Sequence, residues 1–174
     1  VAYNPLNPEF HCSDRSYSLA WIYQAQGKFD EALAEAKKAL ELSKYSAQRY
    51  ADISSIYSNL KQNTDAIAYA QKAISLAPYH NQYYEALARA YLISGINELS
   101  TGNKDMARQY FEELFQVPVM IEEKMNGLNP EQKRLWNMAP YMTSTPPILL
   151  SLGAAQCFLG DWESSEINLK KAAE

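Results

Sequence analysis

The sequence predicts an all-α fold, an α-solenoid of antiparallel helical hairpins, and three observations carry that expectation. The chain resembles itself at a fixed offset of 34 residues. Each repeat holds two segments of about 14 residues with apolar positions at i, i+3, i+4 and i+7, the spacing that lines one face of an α-helix. A short polar breaker lies between the two segments, "QGKFD" in the first repeat and "KQNTD" in the second, so each repeat reads as helix, turn, helix.

When Ser13–Ser46 is aligned with Ala47–His80, Leu19 meets Ile53, Ala20 meets Ser54, Tyr23 meets Tyr57, Ala32 meets Ala66, Ala36 meets Ala70 and Ala39 meets Ala73. Small residues where two helices cross allow close approach, and bulky neighbours fill the space beside them. Ala20, Ala32 and Ala39 have the first role here, Tyr23 and Phe29 the second.

The period and these positions resemble tetratricopeptide (TPR) repeats. An aromatic opens the first helix at Tyr50 and Tyr84, a Leu-small pair follows at Leu19-Ala20 and Leu87-Ala88, a tyrosine comes next at Tyr23, Tyr57 and Tyr91, and Pro78 closes a unit. Ser16 and Lys44 depart from the opening aromatic and the closing proline of the first unit. The resemblance implies one TPR domain with units at about 13–46, 47–80, 81–117 and 146–174, the last supported by Leu152-Gly153, Gly160, Trp162 and Ala172. Val1 is not a methionine and "LKKAAE" ends within a helical pattern, from which a piece of a larger protein is expected.

The third unit starts on schedule and then turns seven residues late, with its breaker at "TGNKD". Seven residues are about two turns at 3.6 residues each, so the stripe through Tyr84, Ala88, Tyr91, Gly95 and Leu99 stays on one face. The extra length would expose Ile96 and Leu99 unless something covers it. Residues 118–145, which match no unit, are the expected cover: a two-helix insertion between the third and fourth units. One short helix is expected over Pro118–Met125, ending at Asn126-Gly127, and another from Asn129 as N-cap with Pro130 at its first position. Leu128, Leu135, Trp136 and Met138 are expected to pack on neighbouring units.

Composition narrows the function. Sixteen basic against 20 acidic residues leave a net charge of −4, which gives no reason to expect nucleic acid or an anionic membrane. The uncharged stretch Ala139–Gly160 is broken by "TSTPP" and its apolar part is too short to span a bilayer. Cys12 and Cys157 stand apart without metal-ligand spacing, and His11 and His80 are the two histidines. With no nucleophile, phosphate-loop or dinucleotide motif, and with Glu112-Glu113 and Glu122-Glu123 on solvated helix faces, neither catalysis nor a cofactor nor a metal is expected.

A stack of hairpins offers a concave surface made by the first helix of each unit. On the TPR pattern its residues are Tyr17, Trp21 and Gln24, then Ser55, Ser58 and Asn59, then Gln82, Glu85 and Arg89. The expected partner is a protein or peptide bound there, with glycan as a further candidate. The family members that clamp carboxylate tails of chaperones use basic and amide residues at positions held here by Tyr17, Trp21, Asp52, Gln82 and Ala86, so that mode is not expected. A second resemblance, carried by "NPLNPEFH", "VPVMIEEKMNGLNPEQKRLW" and "TPPILLSLGAAQCFLGDW", is to the C-terminal TPR region of bacterial O-antigen ligase/polymerase-type membrane proteins. It implies an accessory domain outside the cytoplasm of a glycan-processing parent; without it, a cytoplasmic scaffold is expected.

Overall fold

The computed structural model describes residues 8–133 and 146–173. They form two compact units, Val1–Leu76 and Ala77–Glu174. The first unit contains α1 (Pro8–Ala25), α2 (Phe29–Leu42), α3 (Ala47–Asn59) and α4 (Asn63–Leu76). The second contains α5 (Asn81–Ser100), α6 (Lys104–Asn126), α7 (Pro146–Leu159) and α8 (Trp162–Ala173). Helices pair in chain order as hairpins; α2 also packs on α3, and α7 on both α5 and α6.

One turn closes all four hairpins. The N–H groups of Lys28, Gln62, Asn103 and Asp161 donate back to the carbonyls of Tyr23, Tyr57, Glu98 and Gln156 at 2.9–3.0 Å, the six-to-one bond of a Schellman cap. That cap needs a left-handed residue. Gly27, Gly102 and Gly160 supply it at φ +73, +85 and +82°, but in the second hairpin Lys61 does so at φ +58°. Side-chain caps start three of the helices: Ser46 Oγ accepts from the Arg49 N–H, Asn103 Oδ1 from Met106, and Asp161 Oδ1 from Ser164.

Twelve residues separate the small pair at each crossing, which gives Ala20/Ala32, Ser54/Ala66, Gly95/Ala107 and Gly153/Ser165, all buried. In two of them a serine bonds across the crossing. Ser54 Oγ donates to the Ala66 carbonyl at 2.6 Å, and Ser165 Oγ to the Gly153 carbonyl at 2.8 Å, so donor and acceptor exchange helices. Four residues further along the second helix, size compensates for size. Where the crossing residue is Ala20 or Ser54, the later position is Ala36 or Ala70; where it is Gly95 or Gly153, it is Phe111 or Leu169. A Cβ on Gly95 would lie 2.2 Å from Phe111 Cε1, and one on Gly153 would lie 2.8 Å from Leu169 Cγ.

The late turn of the third unit is present. The first helix, α5, has 20 residues against 13 in α3, a difference of seven, and Tyr84, Ala88, Tyr91 and Gly95 are buried along it. The turn, not the start of the helix, sets the crossing, so Gly95 takes the place of Ala20 and Ser54 while Ala88 lies one heptad away. Leu99 is half-buried and Ile96 reaches the surface.

Past the third unit, one expectation needs correction. Pro118 does not begin a separate helix: α6 runs unbroken from Lys104 to Asn126 with Pro118 inside it. The buried stripe of Ala107, Phe111, Leu114 and Val117 anchors the helix up to the missing N–H donor, which is why tertiary packing overrides the proline. The helix does end at Asn126-Gly127 as expected. Asn129 is an N-cap, and its bond to Gln132 is reciprocal, since Asn129 Oδ1 accepts from the Gln132 N–H at 2.8 Å and Gln132 Oε1 from the Asn129 N–H at 3.0 Å. Leu128 is buried; Leu135, Trp136 and Met138 lie outside the described residues.

Candidate functional site

In the first unit, Tyr17, Trp21 and Gln24 recur along α1 at i, i+4 and i+7 and therefore share one face. They line a cleft of about 30 Å³ together with Ala20, Ala36 of α2, and Asp52 and Ile56 of α3. Trp21 is 67% exposed although it is among the largest apolar side chains of the unit. Tyr17 is half-buried, and the Arg49 guanidinium lies 3.7 Å from its ring centroid, a cation–π stack that ties α3 to α1.

Asp52 is the polar centre of this cleft, a residue whose place in the sequence argued only against a carboxylate clamp. Its Oδ1 accepts from Gln48 Nε2 at 2.9 Å, whereas its buried Oδ2 has no hydrogen-bond partner. Burial raises the Asp52 carboxyl above the usual carboxylate range, against the opposing pull of the Gln48 hydrogen bond, the Arg49 charge and the Tyr17 hydroxyl. Burial also raises the Tyr17 hydroxyl, and the neighbouring Asp52 charge adds to it. The signal in the sequence was the spacing: Gln48, Arg49, Asp52, Ser55 and Asn59 recur at helical intervals along α3.

On that helix Ser55 is half-buried and Asn59 exposed, with Asn59 Nδ2 donating to the Ser55 carbonyl at 3.0 Å. Ser58 is a correction. It belongs to the buried stripe of Ala51 and Ser54, and its hydroxyl donates to the Ser54 carbonyl at 3.0 Å, so it offers nothing to a ligand.

The second unit carries Gln82, Glu85 and Arg89 along α5 at i, i+3 and i+7, the first two half-buried and Arg89 exposed. It also contains a groove of about 450 Å³ with an apolar lining, between Pro118, Ile121 and Met125 of α6 and Ile148, Leu149 and Leu152 of α7. No group of three or more His, Cys, Asp or Glu that could hold a metal occurs among the described residues. None of the described helices is long and apolar enough to cross a membrane.

Tetratricopeptide repeat family models match residues 15–46 and 47–80. Among solved structures, the chain is similar to TTC0263, a thermophilic TPR protein of Thermus thermophilus, with a TM-score of 0.69 and 19% identity over 92% of this chain and 72% of that one. It is also similar to MamA, with a TM-score of 0.52 and 21% identity over 92% of this chain and 76% of that one. No curated protein sequence matches the chain. At these identities the structural likenesses establish the fold.

Proposed function

The chain is a tetratricopeptide repeat protein, and on that premise we propose that it is a non-catalytic module which binds a protein or peptide segment through the first helices of its repeats. The observation that carries this reading is the pairing of Trp21 with Tyr17 on the open face of α1. A 67% exposed indole covers little of the core, yet it stands beside a tyrosine already fixed by Arg49 and a carboxylate with an unused oxygen. Rigid aromatics with a polar tip bind at small entropic cost and are enriched among the residues that dominate interface energy.

The test is to select peptides from a random display library on the intact chain and to measure their affinity for variants. Trp21→Ala and Tyr17→Ala should weaken the selected peptides about tenfold or more, which is roughly 1.4 kcal/mol each. Tyr45→Ala, at a residue 89% exposed between α2 and α3, should not. Peptides indifferent to both α1 substitutions would place binding elsewhere and overturn the reading.

A further inference from the structure

Resting on the reading just given, we propose that the Asp52 cleft of the first unit selects a primary ammonium group, such as a lysine side chain or a free chain N-terminus, on the bound peptide. The argument begins with the oxygen that the fold leaves unused. Asp52 Oδ2 is buried with no donor at full hydrogen-bonding distance, and although the Tyr17 hydroxyl also acts on the carboxyl, this is an expensive condition for a carboxylate. The Arg49 guanidinium, one turn away on the same helix, is stacked on the Tyr17 ring and donates nothing to Oδ2.

Geometry then chooses between the cations. Oδ1 already accepts from Gln48, so a guanidinium would have to share that oxygen to form its two parallel bonds, whereas an ammonium can direct one N–H at Oδ2 alone. The cleft is small and mostly apolar, lined by Ala20, Ala36 and Ile56 around the carboxyl, and so has room for a compact cation. The exposed Trp21 indole lines the same cleft. A neutral donor would fit the space but would forgo the charge-assisted bond.

The experiment titrates the intact chain with N-acetyl-Ala-Lys-Ala-amide, its norleucine and arginine counterparts, and Ala-Ala-amide with a free N-terminus, following the Trp21 indole N–H by NMR. The lysine peptide should shift this signal with an affinity at least fivefold above the norleucine and arginine peptides; a matching response to Ala-Ala-amide makes the chain N-terminus an equal source. Asp52→Asn should abolish the preference while leaving the thermal midpoint unchanged or raised, because asparagine can still accept from Gln48. Equal responses to lysine and norleucine, no response to either, a preference that survives Asp52→Asn, or a lowered midpoint in that variant would each overturn the proposal. Display-selected peptides that still depend on Trp21 in any of those cases show that peptide binding stands without ammonium selection.

Discussion

Replacing Gly95 by alanine tests the reasoning about how the hairpins are closed. The new Cβ would sit 2.2 Å from Phe111 Cε1 and 2.7 Å from Cδ1 and Cζ, all within carbon–carbon overlap. The ring has little room to withdraw, since Phe111 is fully buried and stacks on Phe158 with centroids 6.0 Å apart and planes 8° apart. Overpacking of this kind costs about 1–3 kcal/mol, and alanine returns about 1 kcal/mol in helix propensity, so a net loss of up to about 2 kcal/mol is expected. Phe111→Ala alone removes a buried aromatic and should cost about 3–5 kcal/mol. In that background Gly95→Ala recreates the Ala20/Ala36 arrangement of the first hairpin and should become neutral or stabilising by up to about 1 kcal/mol. Urea unfolding of the four proteins by far-UV circular dichroism gives the coupling, expected at about 1–3 kcal/mol. A cost for Gly95→Ala that is the same in both backgrounds would refute the size-compensation argument.

Lys61→Gly relieves the one left-handed non-glycine residue among those described and should raise stability by up to about 1 kcal/mol, or about 2–4 °C in a chain of this size, while Gly27→Ala should lower it by a similar amount; thermal denaturation reads both. Pro118→Ala restores a helical donor inside α6 and should stabilise the second unit, as judged by slower amide exchange from Val117 to Ile121. Ser54→Ala places in the second hairpin the residue that the first has at Ala20, so its loss should stay near about 1 kcal/mol, the net worth of one hydrogen bond. Because burial raises the folded-state pKa of Asp52, its charged form opposes folding above that pKa and has no effect once the group is protonated in both states. Any stability gained by Asp52→Asn should therefore be present at pH 7, fade as the pH falls through the raised folded-state pKa and be gone below about 3.9, with Tyr17, Gln48 and Arg49 as the groups facing the carboxyl; a gain that persists at about pH 3 would point to another cause.

Much of this protein is determined by local pattern. The offset of 34 residues, the breakers around Gly27 and Lys61, the late turn at Gly102 and the N-cap at Asn129 all depend on side chains acting on backbone a few residues away, and such effects are written in consecutive residues. They place helix boundaries and the hairpin rhythm without reference to the rest of the chain. What lies beyond them depends on distance in space. Only the tertiary structure decides that α6 passes through Pro118, because the buried stripe from Ala107 to Val117 outweighs one lost hydrogen bond. Only it removes Ser58 from the surface set, since the helix rotation that turns Ala51 and Ser54 inward carries Ser58 with them. The pairing of Gly95 with Phe111 and of Gly153 with Leu169 likewise becomes visible once two antiparallel helices are in contact. The same holds for Asp52, an unexceptional acidic residue on α3 until α1 folds across it and one carboxylate oxygen is buried without a donor.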